Sequence, residues 1–175
     1  MLAKPTKGVT EVLDRFADCA FTCEYKYDGE RAQVHLLQDQ SVKIFSRSSL
    51  DDTHKFPDVT DSFASLVAPG VTSCIIDAEC VAYDRELKQI KPFQELSRRS
   101  KKNEDGKEEK IKVALFAFDL LYLNGESLIK KPFRERRELL RKSLIPTEGK
   151  LHFAVSSDAA DTDEIGRFLE EAVQG

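Results

Sequence analysis

The stretch from Ile111 to Leu123 is the most apolar part of the chain and constrains its fold more than any other feature. It falls short of the roughly 18 apolar residues that cross a bilayer. It therefore reads as a buried strand, closed by an Asn124-Gly125 turn. Ser73 to Tyr83, rich in Cys, Ile and Val, reads as another strand. Phe21 to Tyr27, Arg31 to Leu37 and Ser41 to Arg47 read as an antiparallel meander, with Asp28-Gly29 as the first turn. Leu151 to Val155 adds a further strand. Helical spacing marks Thr10 to Asp18, with Thr10 as its cap and Val12, Leu13 and Phe16 on one face. It also marks Asp58 to Val67 (closed by Pro69-Gly70), Pro92 to Arg98, Pro132 to Leu144 and Asp161 to Val173. Strands outnumber helices and the two alternate irregularly, which predicts an α+β class. No internal repeat or low-complexity linker interrupts the chain.

Composition narrows the class further. A chain of 175 residues with 41% hydrophobic and 33% charged residues predicts one globular domain rather than a disordered segment. The net charge of −4 does not announce a nucleic-acid binder, although it allows a local basic face. Met1-Leu2-Ala3-Lys4-Pro5 has no apolar run after it and is no signal peptide. Cys19, Cys23, Cys74 and Cys80 match no zinc spacing and read as buried or reduced thiols of a reducing compartment. His35, His54 and His152 are scattered and read as structural or surface residues. The basic cluster Arg98-Arg99-Ser100-Lys101-Lys102 is offset by Glu104, Asp105, Glu108 and Glu109. It reads as a solvated loop, with DNA phosphate contact or a nuclear localisation signal as the alternative.

Glu24-Tyr25-Lys26-Tyr27-Asp28-Gly29-Glu30-Arg31 carries the chemistry. It sets a lysine at a strand end, then a tight turn, then an arginine opening the next strand. A lysine there can project into a cleft, where burial and neighbouring cations favour the neutral amine that attacks phosphorus or a carbonyl. Arg31 can hold a phosphate or a ribose hydroxyl beside it. The competing reading is an exposed hairpin turn with solvated charges.

The match extends well beyond this segment. It takes in Met1-Leu2-Ala3, Ala20 to Gly29, Val42-Lys43-Ile44-Phe45-Ser46-Arg47, Asp77-Ala78-Glu79, Ile90-Lys91-Pro92-Phe93-Gln94 and Phe118 to Gly125. Through these ordered motifs the chain resembles ATP-dependent DNA ligases of the eukaryotic replicative type. The resemblance implies an ATP-grasp-like covalent nucleotidyltransferase (adenylation) fold, with largely antiparallel sheets and flanking helices. It implies that Lys26 attacks the ATP α-phosphate to form a lysyl-AMP intermediate used to seal DNA nicks in replication and repair. By the same resemblance Glu24 lies at the adenine and Arg31 at ribose and phosphate. Arg47 lies at the nucleotide or the nick 5′-phosphate, with a solvated strand-end arginine as its alternative. Glu79 contacts ribose and helps hold Mg²⁺, and Phe118 stacks on adenine, with a core phenylalanine as its alternative. A carboxylate in the Ile75-Ile76-Asp77-Ala78-Glu79 run also calls for a partner on physical grounds, because burying it unpaired is costly. ATP, Mg²⁺ and nicked double-stranded DNA are the implied ligands, with a nuclear location and no membrane.

The chain also departs from the family pattern. The resemblance leads to the expectation that the second metal-binding carboxylate, the later lysines, and the DNA-binding and oligonucleotide-binding domains fall outside residues 1–175. The expectation is a lead-in segment over 1–18, followed by the N-terminal two-thirds of an adenylation domain over 19–175. The domain is expected to be incomplete at its C-terminal side and insufficient alone for nick sealing. The alternatives are a catalytically incomplete nucleotide-binding module and an RNA ligase or capping-type nucleotidyltransferase.

Overall fold

A computed structural model of the chain describes residues 7–16, 20–99, 111–158 and 162–174. The Met1-Leu2-Ala3 motif, Cys19 and the charged run from Ser100 to Lys110 lie outside the described residues. In chain order the elements are α1 (Val9–Arg15), β1 (Cys23–Glu24), β2 (Glu30–Leu36), β3 (Val42–Phe45), α2 (Pro57–Thr60), β4 (Cys74–Asp84) and β5 (Gln89–Ile90). They continue with α3 (Phe93–Arg98), β6 (Val113–Leu123), β7 (Glu126–Ser127), α4 (Phe133–Ser143), β8 (Leu151–Phe153), β9 (Ser156–Ser157) and α5 (Thr162–Gln174). They form two compact units, Met1–Lys26 with Ala154–Gly175, and Tyr27–Phe153.

The larger unit is built on one sheet. Among the described residues its order is β3-β2-β4-β6-β7, with β5 on β4 and β8 on β6. All pairings are antiparallel except that of β6 with β8. Period-two alternation explains which side chains go inside. Ala32, Val34 and Leu36 of β2, Val42 and Ile44 of β3, Cys74, Ile76, Ala78, Cys80 and Ala82 of β4, and Val113, Leu115 and Ala117 of β6 face one core. Phe56, Val59, Phe63, Leu66, Leu96 and Leu140 cover that face. The opposite face carries a smaller apolar cluster, Val81, Tyr83, Ala114 and Phe116, with Tyr27 packed on it. Strands β4 and β6 thus bury residues on both faces, which explains why they are the longest apolar runs.

The Asn124-Gly125 turn joins β6 to β7 as expected, with positive φ of 47° and 95°. The Asn124 side chain also accepts from the Ser73 amide at 3.2 Å and donates to the Gly70 carbonyl at 2.8 Å. The helix expected over 58–67 breaks into α2 and a 3₁₀ turn, Phe63–Leu66. Thr60, Ser62 and Ser65 cause the break, because each hydroxyl bonds a local backbone carbonyl and competes with the helical ladder.

The meander needs correction at its first strand. Strand β1 is short and pairs with β9, through Cys23 with Ser157 and Glu24 with Ser156, rather than with β2. Asp28 and Gly29 are not among the residues with left-handed backbone, so they form no primed hairpin turn. Gly29 serves another purpose. A Cβ there would overlap the Cys80 carbonyl oxygen and lie 2.9 Å from Val81 Cγ1. Glycine lets this segment run against β4. Gly29→Ala is expected to cost about 3 kcal/mol, the upper range for overpacking, because the obstacle is backbone. Urea unfolding measures it, and an unchanged midpoint would mean that the contact does not constrain the fold.

In the smaller unit, α1 begins one residue before Thr10, with Gly8 as its cap. Thr10 is therefore inside the helix. Glu11 supplies the missing acceptor, taking the Lys7 amide at 3.0 Å. The Tyr25 amide donates to the Val155 carbonyl at 3.0 Å, and the Tyr25 ring meets Phe168 of α5 at 5.0 Å.

Candidate functional site

Glu24 and Lys26 belong to the smaller unit. Exposure alternates along residues 23–26, with Cys23 and Tyr25 partly buried and Glu24 and Lys26 exposed. The two candidates thus share the outward side of one extended segment, while Tyr25 anchors the other. The expectation that burial would act on the Lys26 amine is not met, because Lys26 falls on the exposed parity.

The other candidates belong to the larger unit, on the outward face of its sheet. Register sets Arg31 of β2 opposite Glu79 of β4, and Gln33 opposite Asp77. The Arg31 guanidinium pairs with Asp77, whose other oxygen accepts from Gln33 at 3.4 Å. Gln33 in turn meets His35 Nε2 at 2.9 Å. Asp77 is only 4% exposed, so Arg31 supplies the partner that a buried carboxylate requires. The Arg31 guanidinium also lies 5.7 Å from the centre of the Phe118 ring. Phe118 is half-buried and is not among the residues of the buried core cluster.

Arg31, Gln33, His35, Phe45, Arg47 and Asp77 line an open cleft of about 380 Å³. Arg47 reaches it from the turn after β3, where Ser46 and Leu50 close a backbone bond of 2.9 Å. Two arginines beside a partly apolar floor can bind a phosphorylated ligand. The sequence alone gives Gln33 and His35 no place in a site and names Asp77 only within the Asp77-Ala78-Glu79 run. A trace is there all the same: Arg31, Gln33 and His35 alternate with the core residues Ala32, Val34 and Leu36.

A second aromatic group lies on the same sheet face. Tyr27 packs on Phe116 at 4.2 Å, and His152 stacks on Phe116 at 4.9 Å. His152 Nε2 accepts the Gly149 amide at 3.2 Å, and Tyr83 donates to Glu148 at 2.5 Å. Burial, together with its bond to Glu148, pushes the Tyr83 hydroxyl up to about 12.

Burial lowers both His35 and His152 from the ordinary imidazole range, opposed by Asp77 and Glu148 respectively. The unfolded chain therefore takes up these protons first as pH falls. The stability they contribute is complete above about pH 6.5, the unperturbed value. It is lost as pH falls through their folded-state values. Imidazole Cε1–H resonances should titrate below the free-histidine midpoint in the folded chain. Midpoints at or above it would contradict the burial.

Among the described residues no group of three or more His, Cys, Asp or Glu side chains gathers as a metal site. Glu79 still offers a carboxylate on the cleft face of the sheet. Mg²⁺ commonly binds through one or two carboxylates plus substrate phosphates and water. The residue set therefore fits an ion that arrives with a nucleotide. Of the described thiols, Cys23 is partly exposed while Cys74 and Cys80 are buried, and all three are free. Burial pushes Cys74 up to about 11. The basic cluster also resolves in part: Arg99 turns inward to Asp58 instead of outward to solvent.

Comparison with known proteins adds three findings. The family model of the ATP dependent DNA ligase domain matches residues 1–175. The chain is 50% identical over 173 residues to DNA ligase 1 of Arabidopsis thaliana, covering 99% of this chain and 22% of that one. It is 48% identical to DNA ligase 1 of Dictyostelium discoideum, covering 100% of this chain and 15% of that one. It thus spans less than a quarter of these relatives. Its fold resembles a mycobacterial DNA ligase D complexed with ATP and MES, with a TM-score of 0.60 and 21% identity. That likeness covers 86% of this chain and 44% of the other.

Proposed function

The chain belongs to the ATP-dependent DNA ligase domain family, and from that premise we propose that Lys26 is the nucleophile of covalent adenylation. Its Nζ lone pair forms the bond to the ATP α-phosphorus. The bond from that phosphorus to the bridging oxygen breaks, pyrophosphate leaves and the amine gives up a proton to solvent. The product is a lysyl-AMP phosphoramidate. The observation that carries this reading is the sheet face that gathers Arg31, Glu79 and Phe118, with Arg47 on the same cleft as Arg31. The Arabidopsis and Dictyostelium relatives are both named DNA ligase 1, which favours this reading over the capping-type and RNA ligase alternatives.

Each residue has a proposed role. Arg31 and Arg47 neutralise phosphate oxygens, where a planar guanidinium offers paired donors. Phe118 stacks on the base, and Glu24 lies at its edge. Glu79 meets ribose and, with phosphate oxygens and water, Mg²⁺. When bound, that ion screens phosphate charge and polarises the phosphoryl group. Phosphoryl-type transfer asks chiefly for such positioning and charge neutralisation. The later steps, in which AMP passes to a DNA 5′-phosphate and the 3′-hydroxyl displaces it, are proposed for the enzyme activity in which this domain takes part. So are nicked DNA as partner, service in replication and repair, and a nuclear location. The division into a lead-in over 1–18 and an adenylation segment over 19–175 is likewise a proposal. No described helix is long and apolar enough to cross a membrane.

The test is intact mass after incubation with ATP and Mg²⁺, with GTP as a parallel sample. An AMP adduct from ATP and none from GTP supports the reading. ATP binding without an adduct by a folded chain would favour the nucleotide-binding module. An adduct from GTP would favour the capping type.

A further inference from the structure

We propose that the tandem arginines of α4, Arg136 and Arg137, are positioning residues for Phe118, acting through the strand irregularity that presents its ring. The role rests on the stacking reading of Phe118. Strand β6 does not run regularly past β4. Asp77 pairs with Asp119 but the adjoining Ala78 pairs with Ala117, which leaves Phe118 as an extra residue. A second shift, between Ile75 and Ile76, passes over Leu121. The core-facing rhythm of Val113, Leu115 and Ala117 therefore resumes at Leu120, one residue out of phase. Phe118 and Asp119 both stay out of the buried core.

Such a bulge re-aims a side chain and interrupts the local ladder, so its backbone groups need other partners. Helix α4 supplies one. Arg137 donates Nε to the Phe118 carbonyl at 2.9 Å. Arg136 grips the Asp119 carboxylate with two bonds of 2.8 and 2.9 Å. That carboxylate also accepts the Leu120 amide at 2.8 Å, so the arginine, the acid and the bulge backbone form one connected unit. Both guanidinium groups lie over the Phe133 ring, at 5.4 and 4.8 Å, which limits their freedom before they bind. Arg137 is only 7% exposed, an unusual place for arginine unless it holds something. What it holds is the carbonyl of the residue whose ring faces Arg31.

A double-mutant cycle on the full chain tests this, with ATP affinity from calorimetry and the urea midpoint of each variant. Phe118→Leu is expected to weaken ATP binding about tenfold, a typical loss for a base-stacking ring. Arg137→Met is expected to lose about as much. The double variant should be no weaker than Phe118→Leu alone, because the arginine acts through the ring. Arg137→Lys, which keeps charge and a donor, should restore most of the affinity. Losses that multiply to about a hundredfold in the double variant, or wild-type affinity in a folded Arg137→Met, would overturn the role. Should Arg137→Met not fold, the same cycle with Arg136→Lys decides, since lysine keeps the charge and loses the paired fork. If the wild type binds no ATP, or Phe118→Leu changes nothing, the stacking reading itself is refuted and this role with it.

Discussion

With ATP and Mg²⁺ present, wild-type chain should acquire an AMP adduct and Lys26→Ala should acquire none. The loss is complete because the proposed bond forms on Lys26 Nζ, the atom that alanine removes. Lys26→Arg should fail equally, since a guanidinium keeps its proton and charge and offers phosphorus no lone pair. Lys26 is exposed and lies outside the core, so either change should leave unfolding stability within about 0.5 kcal/mol. ATP binding should survive in both variants through the contacts proposed for Arg31, Arg47 and Phe118. That pattern separates a nucleophile from a structural lysine: chemistry vanishes while fold and nucleotide binding persist. An adduct that persists on Lys26→Ala would place the nucleophile elsewhere in the chain.

The elements legible in the sequence are those whose residues answer to one local rule. Strands β4 and β6 are apolar enough to have only one destination. The Asn124-Gly125 turn has backbone angles that those two residues favour. Helix α4 follows its proline and its helical spacing, although Pro132 caps the helix rather than joining its first turn. Elements set by distant partners were not legible. The pairing of β1 with β9 joins residues more than a hundred positions apart. Gly29 looks like a turn residue until the Cys80 carbonyl is placed against it. The site divides along the same line. Arg31 and Arg47 reach one cleft because β2 and β3 pair as a local hairpin. The presentation of Phe118 depends on a bulge held from α4, and alternation along β6 cannot foretell an extra residue. The sequence suggests a buried setting for Lys26, because a lysine at a strand end can project into a cleft. The observed strand ends at Glu24, and the alternation beyond it leaves the lysine outside.

Arg99→Met should cost about 3–5 kcal/mol, the range for removing one partner of a buried ion pair. In sequence Arg99 belongs to a basic cluster that suggests solvent or DNA phosphate. In the structure its side chain is 11% exposed and Asp58 17%, so water screens the pair little. The guanidinium engages both Asp58 oxygens. It also donates to the Ile111 carbonyl at 2.7 Å and the Lys55 carbonyl at 3.1 Å, and it lies 5.5 Å from the Phe56 ring centre. Asp58 in turn accepts the Val113 amide at 3.3 Å, at the first residue of β6. One arginine therefore joins α2, the end of α3 and the start of the most apolar strand. Methionine would leave a largely buried carboxylate without its cation and two carbonyls without this donor. Asp58→Asn should cost less, because the amide oxygen still accepts from Arg99 and the guanidinium keeps the Lys55 and Ile111 carbonyls, whereas Arg99→Met leaves the Asp58 anion with the Val113 amide and no cation. The order of urea midpoints, wild type above Asp58→Asn above Arg99→Met, reads this directly. A phosphate contact would behave oppositely. Its loss would leave stability unchanged and reduce the salt dependence of DNA binding by about 0.9 in the log–log slope. Unchanged stability with a shallower salt slope would return Arg99 to the DNA-facing cluster.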